Sequence, residues 1–179
     1  PSHGTIERVS GVDFARIIQP MTHLNGDSDG EVTFKVDIFD PREEAKKKKK
    51  MSWLNVAKNY DIIYFNYIPD AWAFAEMGAM ARGFGKKMVL DVDDSLWNLK
   101  PSNSAYSVYH KGSEALSNFT SICNEVDYMT TTNSYLKNVI AHNTLKKHER
   151  IRIFPNYVDL KLYSYQMAFK YNTKITLLH

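Results

Sequence analysis

Three carboxylates fall within four positions in the stretch Lys86 to Lys100, KKMVLDVDDSLWNLK: Asp91, Asp93 and Asp94. Acids packed this closely suit three kinds of chemistry. As a D-x-D pair, Asp91 and Asp93 could hold a divalent ion against a diphosphate. One carboxylate could take a proton from a hydroxyl nucleophile with no metal present. The group could also accept hydrogen bonds from sugar or loop hydroxyls. We rank hydroxyl recognition first, proton transfer second and a metal third. A plain alternative is that Asp93 and Asp94 only shape the turn that follows, since aspartate is a common turn residue.

Other chemistries find no purchase in the chain. It carries neither a G-x-G-x-x-G dinucleotide turn nor a G-x-x-x-x-G-K-[ST] phosphate loop. The six histidines are dispersed without zinc spacing, and the single Cys123 excludes an internal disulfide or a cysteine-based metal cage.

The elements around the acids follow from periodicity. Met88-Val89-Leu90 is a short apolar run ending in charge, the mark of a strand buried on both faces of a parallel sheet. Upstream, Phe14, Ile17, Ile18, Met21 and Leu24 fall on one face of a helix that Pro20 should bend. Val32, Phe34, Val36 and Ile38 alternate with polar residues, which predicts a half-buried strand. Residues 42 to 59 read as a helix, 61 to 67 as a strand of β-branched and aromatic type, and the alanine-rich segment after Pro69 and Asp70 as a helix stopped by Gly83 and Gly85. A long helix is expected from Ser102 to Glu125, weakened at Gly112. A strand follows at 128 to 132, a helix capped by Asn133 or Ser134, a strand at 150 to 154, and one more strand starting at Lys174. Strict alternation of strand and helix predicts an α/β fold, a three-layer Rossmann-like parallel sheet with helices on both faces.

Parallel strands would deliver their polar C-terminal residues to one rim. These are Asn66, then Asp93 and Asp94, then Asn133 and Ser134, then Asn156. Ligands of open α/β sheets bind at that rim.

Composition adds bounds. With 179 residues, 44% hydrophobic and 24% charged, the chain can bury one core. It has no apolar run of membrane-spanning length, and PSHGTIERVS lacks the apolar core of a signal peptide, so a cytoplasmic protein is the expectation. The net charge of +3 is unevenly spread, because Lys46, Lys47, Lys48, Lys49 and Lys50 are consecutive. Followed by Trp53, Leu54 and Val56, the lysines suit peripheral contact with an anionic membrane. They also suit a polyanion such as nucleic acid, or simply a solvated helix face.

Three segments in order, VLDVDDSLWNLKPSNSAY, VDYMTTTNSYLKNVI and IRIFPNYVDLKLY, resemble the N-terminal half of GT-B fold glycosyltransferases of the family-4-like group. The opening SGVDFARIIQPMTHL resembles the first helix of that domain. The resemblance implies that residues 1 to 172 form a Rossmann-like acceptor-side domain and that 173 to 179 begin a linker or a second domain. It implies transfer of a sugar from a nucleotide-sugar donor to an acceptor hydroxyl, with no obligatory metal or other cofactor. By position, Ser2, His3 and Gly4 would belong to the loop after the first strand, Asp93, Asp94, Asn133 and Asn156 would line the acceptor side, and Asp159 would sit near the hinge. No catalytic base is assigned.

The sequence departs from the group in three places. On this resemblance the first strand would already have ended where Pro1 stands, Tyr157 stands where a glycine usually follows the Pro-Asn pair, and the donor-binding domain would open near His179. The expectations that follow are an isolated chain without turnover and an exposed sheet edge prone to self-association. A non-catalytic α/β binding or interaction domain is the alternative function, and a metal site at Asp91 and Asp93 of the GT-A kind is a third.

Overall fold

The computed structural model describes residues 14–38, 52–66 and 71–156. Four strands form a parallel sheet: β3 (Ile62–Asn66), β4 (Lys87–Val92), β5 (Tyr128–Thr131) and β6 (Ile151–Ile153), side by side in chain order. Ahead of them β1 (Ser28–Asp29) and β2 (Val32–Thr33) make a small antiparallel hairpin. The helices are α1 (Gln19–Leu24), α2 (Trp53–Asn59), α3 (Ala71–Gly83), α4 (Tyr106–Tyr109), α5 (Glu114–Glu125) and α6 (Ser134–Asn143). The fold is α/β and Rossmann-like.

Side-chain alternation separates two faces of this sheet. Ile63, Met88, Leu90, Val92, Met129 and Ile151 point one way and are buried with Phe74 and Met77 of α3, Phe119, Ile122 and Cys123 of α5, and Leu136 and Ile140 of α6. Strands taken in chain order, joined by crossovers of the usual right hand, must place their connecting helices on the same side. The opposite face carries Ile62, Tyr64, Val89, Asp91, Tyr128 and Thr130. A five-residue turn of π type, Phe14–Ile18, leads into α1 and covers the Asp91 end of that face through Arg16, giving the third layer.

Local chemistry fixes the helix ends. The Ser113 hydroxyl accepts from the Leu116 N–H at 3.2 Å and Glu114 sits in the first turn of α5, where the helix dipole favours it. α3 ends with Gly85 at φ +66°, the Gly85 and Lys86 N–H groups donating to the Arg82 and Ala81 carbonyls at 3.0 and 2.8 Å. The Lys146 ammonium donates to the Asn124 and Val126 carbonyls and closes α5. At the N-terminal edge of the sheet the Asp127 carboxylate accepts from the Met88 N–H at 2.9 Å and from Lys87 at 3.1 Å.

Three expectations are corrected. The strand expected over residues 32 to 38 shrinks to Val32–Thr33, because only that pair meets a partner strand; Val32 stays 56% exposed and Ile38 47%. The long helix from Ser102 is interrupted into α4 and α5, since Gly112 takes φ +90°, outside helical space. In the Phe14–Leu24 segment the fully buried residues are Arg16 and Gln19, whereas the apolar face of Phe14, Ile17, Ile18, Met21 and Leu24 is only partly covered. An acid on the sheet beneath draws the arginine inward.

Candidate functional site

The parallel register sets the site. Asn66 pairs with Asp91, Asp91 with Thr130, and Thr130 with Arg152, so one rung of four polar residues crosses the sheet near its C-terminal rim. A run of polar side chains at this depth is tolerated only if their hydrogen bonds are met.

Asp91 is the centre of that rung, 1% exposed. Both of its oxygens accept from Arg16, one from Nε and one from a terminal nitrogen, in the forked geometry that suits a guanidinium and a carboxylate. The Thr130 hydroxyl also donates to Asp91. The Thr130 proton being committed there, the Tyr64 hydroxyl 3.0 Å away donates to the Thr130 oxygen. Burial, then the nearby Asp91 charge, push the Tyr64 phenol above its ordinary value. The remaining terminal nitrogen of Arg16 donates to the Phe154 carbonyl at 2.8 Å and the Asn156 side-chain oxygen at 3.0 Å, and the guanidinium lies 5.7 Å from the centre of the Phe154 ring. Burial favours the neutral guanidine, yet the Asp91 carboxylate outweighs it and Arg16 sits above its ordinary value.

Beyond the strand the chain opens a cavity of about 220 Å³ at the rim. Its polar lining residues are Asn66, Asp91, Asp93 and Asp94, and its apolar and aromatic ones include Leu96, Tyr109 and Phe119. The loop that carries the acids is pinned to α5. The Trp97 indole N–H donates to the Thr120 hydroxyl at 3.0 Å, and its ring packs against Phe119 with centroids 5.2 Å apart. Asp93 is half-buried; burial first, and then the adjacent Asp94 charge, hold its carboxyl above the usual aspartate range.

The residues singled out in the sequence are thus distributed. Asn66, Asp93 and Asp94 share the cavity, and Asn156 is joined to the same network through Arg16. Asn133 accepts from the Leu136 N–H at 2.9 Å and caps α6, with Ser134 opening that helix, both exposed. Trp53 starts α2 and packs partly buried against the core. Ser2, His3, Gly4, Asp159 and Lys46 to Lys50 lie outside the described residues.

Sequence reasoning missed Arg16, Tyr64, Thr130 and Tyr109. Arg16 left a trace, a lone arginine in the apolar turn Phe14-Ala15-Arg16-Ile17-Ile18, but its partners lie 75 to 140 residues away. Cys123 is buried in the core on α5, where burial pushes its thiol up to about 12.

Comparison of the chain with family models, with curated proteins and with solved structures yields no match.

Proposed function

We propose that this domain is the acceptor-binding half of a GT-B glycosyltransferase, in which a sugar passes from a nucleoside diphosphate to an acceptor hydroxyl. The observation that carries the reading is the cavity at the C-terminal rim of the parallel sheet, lined by carboxylates, an amide and aromatic rings. A sugar ring has the matching character, hydroxyls around its edge and C–H groups on its faces. Asp93 and Asp94 accept from acceptor hydroxyls, Asn66 donates or accepts, and Tyr109 and Phe119 pack against the ring face. The resemblance of the three segments to the family-4-like group points the same way.

Asp91 has a different task in this reading. Both of its oxygens are engaged by Arg16 and Thr130. A cation bridging Asp91 and Asp93 would have to break a buried ion pair, so the proposed transfer uses no divalent ion. The positive charge of Arg16 is likewise consumed inside the fold, leaving it to hold the rim in shape.

The test is a titration of the ¹⁵N-labelled chain with methyl glycosides of glucose, galactose and mannose, and separately with UDP-glucose and GDP-mannose. The expected result is that at least one glycoside shifts the amides of Asn66, Asp93, Asp94 and Tyr109 while the nucleotide sugars leave them in place. Nucleotide sugars acting at these amides, or silence from every glycoside, would refute the acceptor-side assignment.

A further inference from the structure

We infer that the segment joining α6 to β6, Leu145 to Arg152, docks on a membrane of anionic lipid, with Leu145 entering the headgroup layer and Lys147, Arg150 and Arg152 meeting the phosphates. Leu145 lies where the chain turns into β6, at the end of the parallel sheet remote from the rim cavity, so this contact does not depend on what the cavity binds.

A single apolar side chain in water is ordinary, but Leu145 is 86% exposed in a turn that is braced on both sides. Its own N–H donates to the Asn124 side-chain oxygen at 2.7 Å, and the Lys146 N–H donates to the Thr144 hydroxyl at 3.2 Å. The Lys146 ammonium is taken up by the Asn124 and Val126 carbonyls. The turn is thereby tied to the end of α5 while the leucine is held outward. Phe84, 43% exposed just after α3, opens at the same end of the sheet.

The charge around this tip is basic. Leu145 to Arg152 carries four cations against the single Glu149. Other acids at that end of the sheet are already matched: Asp127 with Lys87 at 3.1 Å, Glu125 with Arg82 at 3.3 Å and Asp61 with Lys86 at 2.9 Å. Lys147, Arg150 and Arg152 are exposed, and among the described residues no carboxylate pairs with them. Arg150 lies 4.8 Å from the centre of the Tyr128 ring, and Arg152 is level with Thr130, two positions on from Tyr128. Both guanidiniums therefore emerge on the same side of the edge strand β6.

This combination selects lipid over other polyanions. A single-stranded nucleic acid needs a free aromatic face for its bases, and the half-buried Tyr128 ring already carries Arg150. A duplex backbone would engage the cations and leave Leu145 and Phe84 in water. An anionic bilayer takes both kinds of residue at once, cations at the headgroups and apolar tips beneath them. A second copy of the chain would set cations against cations.

The experiment sediments the full 179-residue chain with vesicles of phosphatidylcholine alone and of phosphatidylcholine mixed with phosphatidylserine. The chain should follow the mixed vesicles and not the neutral ones, and salt should release it. Leu145→Ser should weaken binding about tenfold, the scale of one leucine leaving water. Lys147→Gln should weaken it about fivefold, the worth of one cation at such a surface. Both variants should keep the parent Tm, since neither side chain is packed. Changing Lys46 to Lys50 together to glutamine controls for the other basic stretch, and in that background Leu145→Ser should still lower binding by the same factor.

Equal sedimentation with the two kinds of vesicle, or none with either, overturns the inference. Binding that follows Lys46 to Lys50 and ignores Leu145 and Lys147 also overturns it. Capture on heparin or duplex DNA that Leu145→Ser leaves intact, with the vesicles unbound, replaces lipid by a polyanion and overturns it as well.

Discussion

Arg16 and Asp91, 75 residues apart in the chain, form a forked ion pair that is 1% exposed on each side. Through it the turn before α1 is held to the C-terminal end of β4, and the same guanidinium reaches the chain just after β6. Removing one member leaves the other charged and out of water, which is far costlier than losing an exposed pair. Arg16→Met should destabilise the domain by about 3–5 kcal/mol. Arg16→Met combined with Asp91→Asn should cost less than the two changes summed, by at least ~1 kcal/mol. Urea unfolding of the four proteins measures both quantities.

Asp93 carries the opposite sign. Its carboxyl is held above the usual aspartate value by burial and by Asp94, so the folded chain keeps a proton that the unfolded chain has already released. Below the ordinary aspartate pKa of about 3.9 both states are protonated and nothing is lost. As pH rises through the raised folded value, ionisation weakens the fold. Asp93→Asn should therefore raise Tm at neutral pH and leave it unchanged in acid, with a gain well under the ~3 kcal/mol of the buried pair. A Tm series across pH on both proteins checks it.

Asp127 behaves the other way. Burial opposes its ionisation, but the Met88 N–H and the Lys87 ammonium prevail and its carboxyl sits below the ordinary value. Its contribution is present above the unfolded aspartate pKa and is lost as pH falls through the lower folded one. Asp127→Asn should lower Tm at neutral pH, with the deficit vanishing in acid. Scanning calorimetry at the two extremes decides the point.

Asn133 should prove structural. Asn133→Ala removes the acceptor for the Leu136 N–H and should cost about 1 kcal/mol, the usual worth of such a cap. Binding of methyl glycosides at the Asn66 and Asp93 amides should stay as it was, which a parallel NMR titration records.

Tyr109 should do the reverse. Tyr109→Ala strips one aromatic wall from the cavity, and glycoside affinity should fall by about 1 kcal/mol, roughly fivefold, on the scale of an aromatic contact. The same titration reads this, with Asn133→Ala as the control.

How much of this could be read in the chain depends on the range of the interactions involved. The alternating apolar segments and their polar ends predict strands β3 to β6, and the parallel register brings Asn66, Asp93 and Asp94 to one cavity. These are consequences of local pattern and of one topological rule. Arg16 escaped because a charged side chain among Phe14, Ile17 and Ile18 reads as a blemish in an amphipathic helix. Only the fold supplies Asp91 beneath it. Asp91 was read with Asp93 as a possible metal pair, since spacing alone cannot distinguish a carboxylate that faces a cavity from one already claimed. The strand expected over residues 32 to 38 shortened for a related reason. Alternation permits a strand, but a strand needs a neighbour, and beyond Phe34, whose N–H and carbonyl still bond Asp27 and Gly26, the segment pairs with no strand among the described residues.

The long span of the Arg16 clasp also carries a kinetic consequence. Its contacts close loops of 75, 138 and 140 residues, so the full set forms only once β4 and β6 have aligned. Interactions made that late are absent at the folding barrier, and weakening them acts on escape from the native state. For Arg16→Met, refolding should keep its pace while the unfolding limb of the chevron steepens in rate, making the clasp a latch on lifetime instead of a guide to assembly.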